Sequence, residues 1–584
     1  MRCVFAPFVS IVLVAVASAS ADWRDVRNGY VIPDEGYCDQ PYVVVLGDGA
    51  WLCTMTTGAG EEGATKQHIV STRSPDQGKT WGPLIDIEPP GPPEASWVTP
   101  LLMPSGRVYA FYTYNADNLR SVKLSNGGET KRVDTLGQFV FKYSDDGGLT
   151  WSAERFTIPV RAFAIDRENV YGGSVRFMWS VAKPLIFEND VYIGLSKVGN
   201  FGQGFIERSE GVVLHSANLL SEPDPAKVMW ETLPDGDVGL RAPEGPIAEE
   251  QNVTFLSDGA LFCTYRTTQG HPCHAYSRDG GKTWTPPAYM TYAPGGRLVK
   301  HPRAANFVRR FGNGKYLYWF HNHGGKTYEG RNPVWISGGV EKDGAIHWSQ
   351  PEILLYDIDP KTRMSYPDFI EDGGKFFVTE TQKTVARVHE IPVDLLDGMW
   401  AHAESRVGVP RDSAVDVRGD ADMTTGMSLP ALPPIAPGSG FTIELRLTLP
   451  SGPANGTILD TRDDAGKGIV VSIANSAIAF ALADGAASEV YESDPVLKSG
   501  ATQNVTIIVD GGPRVAMFVI DGRLSDGGEA RAQGWYRVGE TIADINGRAA
   551  IDVAGGVGKL DVLRVYARAL RVNEAIENQR ADGE

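Results

Sequence analysis

Two histidines stand one residue apart in "WFHNHGG", and an extended chain would put His321 and His323 on one face. There they could touch a substrate or share a metal ion; inward polar side chains satisfied by backbone make the same pattern. A few residues upstream, "HPRAANFVRRF" gathers Arg303, Arg309 and Arg310, guanidiniums of the kind that hold an anion through paired N–H groups. Two adjacent carboxylates, Glu61 and Glu62, lie in the glycine-flanked stretch "GAGEEGATKQHIV". A carboxyl group beside a reacting oxygen can give or take its proton; the same stretch also reads as a solvated loop. Trp97, Trp179, Trp319 and Trp335 offer flat apolar faces to sugar rings or to neighbouring sheets.

The elements that must position these groups announce themselves through repetition. "RSPDQGKTW" from Arg73, "YSDDGGLTW" from Tyr143 and "YSRDGGKTW" from Tyr276 all reduce to Ser-x-Asp-x-Gly-x-Thr-Trp. Nothing in the phrase is reactive. Its Ser and Asp can bond nearby backbone N–H groups, its Gly supplies a positive φ, and its Trp packs under a hairpin. Each copy follows a β-rich stretch, and further strand candidates recur between glycine-rich turns: "YVVVLGDGAWLCT", "RVYAFYTY", "DVYIGLS", "VTFLSDGALFCTYR", "KYLYWFH" and "KFFVTET". After about Pro410 the chain changes. "SLPALPPIAPGSG" reads as a seam, followed by a second set of alternating strands: "FTIELRLTL", "GIVVSIA", "AIAFALAD", "NVTIIVD" and "RVAMFVIDG".

With 584 residues the chain is too long for one ordinary core. Its formal charge of −17 repels phosphate backbones and anionic lipid, so neither nucleic acid nor a membrane surface is an expected partner. Arg2, the apolar run Val4–Val16 and "ASASA" have the form of a secretory leader cleaved after Ala21, which predicts a secreted or periplasmic protein. Four cysteines follow it, Cys38, Cys53, Cys263 and Cys273, for which three pairings are open. Cys263 and Cys273 flank a hairpin. Their spacing fits no zinc motif, and neither metal nor cofactor is expected.

The thrice-repeated phrase resembles the Asp-box of the sialidase (neuraminidase) superfamily, the BNR-repeat β-propellers. Copies at Ser74, Ser144 and Ser277 are spaced as one and two blades of about 70 residues would space them. The closing "KLDVLRVYARALRVNEAI" resembles the last strand and short helix of laminin-G-like, concanavalin-type jelly rolls. The resemblance implies an all-β chain: a six-bladed β-propeller followed by a β-sandwich. Its divisions would be a leader at 1–21, a propeller at 22–410, a linker at 411–440 and a sandwich at 441–584. The second domain would bind glycan or brace the first.

It also implies a site. Sialidases replace the usual carboxylate nucleophile by tyrosine, because a neutral phenol meets the substrate's own carboxylate with less repulsion. "EEQNVTFLSDGALFCTYR" resembles the family hairpin bracketed by a Glu and an Arg, which makes Glu250 the base and Arg266 a carboxylate arginine, although Glu249 could equally be the inward residue. By the same match Arg331 is a second arginine and Tyr366, in "RMSYPDF", the nucleophile. Two positions depart from the pattern. Asp39, in "YCDQPYVVV", stands where the family has its remaining arginine. At ~4 Å and an effective dielectric of ~20, that swap turns ~4 kcal/mol of attraction into repulsion. Arg73, Arg176 or Arg303 would have to substitute. Gly63 stands where the family has its acid, which a one-residue shift gives to Glu62, with Glu61 and Asp39 as other candidates. The expected activity is exo-acting hydrolysis of a terminal acidic sugar. A propeller lyase acting on uronates and a glycan-binding protein without catalysis are the rival classes.

Overall fold

The computed structural model of the chain describes residues 22–202, 205–404, 412–418, 427–542, 544–553 and 557–583. The leader expected over residues 1–21 lies outside them, as does part of the seam expected at 411–440. Strands hold 42% of residues and helices 6%, so the class is all-β. Among the described residues no helix is long and apolar enough to cross a membrane.

Between Tyr30 and Ile391 lie six antiparallel sheets of four or five strands, besides one two-stranded ribbon. Each begins with an inner strand: β1 (Tyr37–Val45), β2 (Ala95–Leu102), β3 (Phe177–Trp179), β4 (Glu249–Phe255), β5 (Phe307–Arg310) and β6 (Ser365–Asp372). The remaining strands follow outward in chain order, except that in the third sheet Leu185–Phe187 pairs beside Phe177–Trp179 on the inner edge of Asp190–Phe201; the sixth sheet is completed by Tyr30–Ile32 pairing with Ala386–Ile391. Successive sheets pack against one another, and the sixth packs against the first. The inner strands are therefore buried on both faces, which explains continuous apolar runs such as "YVVV" in place of clean alternation. A cavity of about 370 Å³ is lined by β1, β2, β4, β5 and β6 together with residues 183–186.

The repeated phrase folds the same way each time. Ser74 Oγ bonds Asp76 and accepts from Gly78 N at 2.8 Å, and Asp76 accepts from Thr80 N at 2.8 Å. Ser144–Asp146–Thr150 and Ser277–Asp279–Thr283 repeat the pattern. Gly78, Gly148 and Gly281 all have φ between +83° and +92°, which only glycine adopts without strain. These turns join the third and fourth strands of the first, second and fourth sheets.

After the helix α1 (Val393–Ala403), whose Trp400 is buried against Phe311 and Phe376, comes a sandwich of two antiparallel sheets. All five strand segments expected there are strands, and the closing helix α2 spans Val572–Gly583. Leu445, Val471, Phe480, Ile507, Phe518 and Leu563 fill the space between the sheets. The four cysteines are buried free thiols; Cys263 lies opposite Ala275 and Cys273 opposite Tyr265, so the hairpin does not set the two sulfurs against each other.

The sandwich is docked tightly. Trp335, Trp348, Phe320 and Tyr318 share one buried cluster with Met517, Val519, Trp535 and Ile576. Arg24 bonds Asp510 at 2.5 Å, and Glu352 accepts from the N–H groups of Val572 and Asn573 at the start of α2.

Candidate active site

Four of the six inner strands carry the same irregularity. The pairing register jumps between Asp39 and Tyr42 in β1, Ser96 and Thr99 in β2, Glu249 and Asn252 in β4, and Ser365 and Asp368 in β6. Within these bulges Gln40, Trp97, Glu250 and Tyr366 have φ of 57°, 65°, 63° and 48°. A non-glycine residue in that region costs of order 1–3 kcal/mol. The gain is aim: a bulge turns a side chain that regular alternation would send into a sheet interface.

Trp97, Glu250 and Tyr366 thereby line one open cup of about 180 Å³, with Glu62, Arg132, Thr135, Trp179, Phe205, Arg266, Tyr328, Arg331, Arg363 and Lys383. The bulges open at the N-terminal ends of the inner strands, and Arg266 closes the second strand of its sheet at the same end. One further strand crossing puts the Asp-box turns at the other end.

At the floor the Tyr366 hydroxyl donates to Glu250 Oε1 at 2.9 Å, and the same oxygen lies 2.9 Å from Arg266 Nη1. Glu250 Oε2 is buried and has no hydrogen-bond partner among the described residues. Burial, with the adjacent Glu249, raises the Glu250 carboxyl above its ordinary value, against the pull of Arg266. Burial and then Glu250 raise the Tyr366 phenol, which is neutral. Glu249 plays a different part. Burial raises its carboxyl too, but Arg266 at 2.8 Å and Arg303 at 2.5 Å outweigh that and hold it ionised. The bulge is what allows two consecutive glutamates to serve the same centre, Glu250 in the cup and Glu249 beneath it.

Arg331 is the deep cation without a carboxylate. It donates to Ser365 Oγ at 2.6 Å and to the Tyr328 carbonyl at 3.1 Å, and burial lowers its pKa. Arg363, exposed at the rim, has no ion pair among the described residues. Across the cup, Lys383 sits 4.5 Å above the Tyr366 ring, 2.5 Å from Asp39 and 3.1 Å from Glu62. Arg132 also meets Glu62, at 2.7 Å. Burial would raise Glu62, but Lys383 and Arg132 prevail and hold it far below the usual carboxylate range. Five cations against two carboxylates in the lining make this a positive cup in a chain of net charge −17, a local field that concentrates anions.

Tyr366, Glu250, Glu62, Arg266 and Arg331 thus meet in one place, whereas Asp39 and Arg303 stand behind its wall. Asp39 is fully buried, paired with Lys383 and bonded by the Tyr37 hydroxyl, so the repulsion expected of it is cancelled locally. Arg73 pairs with Asp48 and Arg176 bonds the Val160 carbonyl, neither in the cup. The additional cations are Arg132, Lys383 and Arg363, which the sequence reading passed over. Arg363 had a signal, three residues before Tyr366 in the same quoted stretch. Lys383 had none, because its reach across the cup depends on the sixth sheet meeting the first. Trp97 and Trp179 face the cup, while Trp319 and Trp335 are core. His323 ties its own loop, accepting from Gly325 N and bonding the Gly330 carbonyl; His321 stacks on His301 at 5.7 Å.

Residues 219–378 match the model of a BNR repeat-like domain, residues 142–153 that of the BNR/Asp-box repeat, and residues 420–575 that of the concanavalin A-like lectin/glucanases superfamily. A search of curated proteins returned no match. Among solved structures, a Dyadobacter fermentans protein of unknown function is 15% identical, with a TM-score of 0.44 over 62% of this chain and 98% of its own. Trypanosoma rangeli sialidase with the inhibitor DANA is 11% identical, at 0.44 over 95% and 96%. NanB sialidase from Streptococcus pneumoniae is 13% identical, at 0.44 over 62% and 70%. The chain carries a BNR repeat-like domain and, C-terminal to it, a domain of the concanavalin A-like lectin and glucanase type.

Proposed function

We propose that the protein is a secreted, exo-acting glycoside hydrolase of the sialidase type, and that the six sheets are the blades of one propeller spanning residues 22–410, joined through 411–440 to a sandwich at 441–584. The reading is carried by one observation: a buried phenol hydrogen-bonded at 2.9 Å to a carboxylate whose second oxygen is unpartnered, with Arg266 and Arg331 in the same cup. Glu250 takes the hydroxyl proton as Tyr366 Oη attacks the anomeric carbon, and the glycosidic C–O bond breaks to leave a glycosyl-tyrosine. A water then cleaves that link, returning the phenol its proton through Glu250. Glu62, the second carboxylate among the described lining residues, protonates the leaving oxygen and later activates the water. It rests ionised between Arg132 and Lys383, so it takes up its proton when substrate draws one of those cations to itself. Arg331 and Arg363, which have no carboxylate partner among the described residues, bind the substrate anion, while Arg266 is paired with the two glutamates. Trp97, Trp179 and Tyr328 cover the sugar faces.

Purified protein, assayed on sialyl-lactose and on a panel of aryl glycosides, should release free saturated sugar, and Tyr366→Phe should lower kcat by a factor of about 10³ or more. Unchanged turnover in that variant would remove Tyr366 from the mechanism. Products absorbing in the ultraviolet would indicate a lyase, and binding without product a lectin.

A further inference from the structure

We infer that the C-terminal domain braces the cup from behind: its segment 524–537 positions the loop 321–332, which carries Tyr328 and Arg331. The inference rests on the cup being the substrate site. Trp535 Nε1 donates to the carbonyl of Asn322 at 3.0 Å, at the start of the loop, where Asn322 has a φ of 46°. The Ala532 carbonyl accepts from Gly324 N at 2.7 Å. At the far end, Arg537 Nη2 donates to the carbonyl of Asn332 at 2.7 Å, next to Arg331. The loop's main chain is thus held at both ends by groups of the other domain, and His323 ties the two ends together through Gly330.

The grip has a third point on the strand-to-strand segment that leads into Arg303. Lys300 Nζ donates to the carbonyls of Asp526, Gly528 and Arg531, at 2.6–2.8 Å. A lysine with all three donors on another domain's backbone fixes that backbone's path. From the sandwich side, Asp494 holds the same segment, accepting from Asp526 N, Gly527 N and Arg531 Nη2. The Trp535 ring is buried, 6.0 Å from that of Trp335. Among the described residues Arg331 is held by Ser365 Oγ, by the Tyr328 and Arg303 carbonyls and by the face of the Tyr328 ring, two of these on its own loop, so its placement depends on where that loop lies. Nothing in this arrangement requires the sandwich to bind glycan.

The test uses the full chain with three variants: Trp535→Phe, which keeps the ring and deletes the N–H; Arg537→Met, which keeps the stem and deletes the guanidinium; and Asp494→Asn, which lies in the sandwich and lines no part of the cup. Hydrogen exchange over residues 321–332 should quicken in each, with the Asp-box turns unchanged. KM for sialyl-lactose should rise roughly tenfold with kcat within about twofold, because an anion-binding arginine acts on ground and transition states alike. A merely structural contact would lower Tm and leave both readouts alone, so unchanged exchange and unchanged KM in folded variants overturn the inference. Faster exchange with unchanged KM also overturns it, since the loop would then move without consequence for substrate. If the wild-type protein turns over no acidic glycoside, the hydrolase reading fails separately, and the exchange data decide the brace. Should Arg537→Met not fold, Trp535→Phe, the smaller change, decides.

Discussion

Tyr366, Glu250 and Arg266 form a chain in which each group sets the state of the next. A phenol is a poor nucleophile until a base takes its proton. Glu250 is buried beside Glu249, which raises its carboxyl above the ordinary 4.5 and strengthens it as a base, while Arg266 keeps it from rising further. The consequence is a pH limb. In the proposed mechanism Glu250 works as an ion, and a raised pKa means that it protonates at a higher pH than an ordinary carboxylate. The acid limb of kcat/KM should therefore lie above pH 4.5, and Glu250→Gln should abolish turnover across the whole profile. An acid limb at or below that value would assign the base elsewhere. The sequence offers Glu250 through a matched hairpin with Glu249 as an equal choice, because alternation along a strand permits only one of two neighbours to face inward. The bulge removes that rule, and no residue type in "EEQNVTF" signals it.

At the scale of elements, two devices do the positioning. Bulges at the start of β2, β4 and β6 turn Trp97, Glu250 and Tyr366 into the cup, at a conformational cost that the packed ring of sheets sustains. The second device is a cap supplied from another domain. Glu352, fully buried near the end of the fifth sheet, accepts from Val572 N and Asn573 N, two of the orphan donors at the start of α2. Burial raises its carboxyl to about 7, and the two N–H groups oppose that without reversing it. The folded-state value is the higher one, so its contribution is complete below pH 4.5 and is lost as pH rises through about 7. Full ionisation costs about 3 kcal/mol at 1.36 kcal/mol per unit. Tm should fall from pH 5 to pH 8.5 in the wild-type protein, and Glu352→Gln should flatten that slope. An equally steep slope in the variant would show that other groups govern it. The Asp-box turns are legible to the residue because the Ser–Asp–Gly–Thr bonds that fold them are local. Helix α1 was not singled out, since its apolar side, Leu395, Leu396, Met399 and Trp400, gains meaning only from Phe311 and Phe376 opposite.

For the whole molecule, the decisive feature is a hydrophobic cluster shared by the two domains. Phe320, Trp335 and Trp348 are covered by Met517, Val519, Trp535 and Ile576. A chain ending at Glu404 would expose that aromatic face, an area that soluble monomers rarely leave bare. Such a truncation should aggregate on size-exclusion chromatography, and the intact chain should unfold in one transition; a soluble, active truncation would refute the shared core. What the sequence by itself determined is what short-range chemistry dictates: the all-β class, the hairpin turns, strands in both domains, and a short roster of groups with acid–base or anion-binding chemistry. The tertiary structure alone decided how those groups are charged. Asp39 reads as an obstacle in sequence and is neutralised by Lys383, 344 positions away. Glu62 reads as an acid and rests as an ion between two cations. Arg331 takes its place from a tryptophan and an arginine beyond residue 530. Charge states depend on distances and on burial, and in a closed ring of sheets the distances that matter join residues with no local relation along the chain.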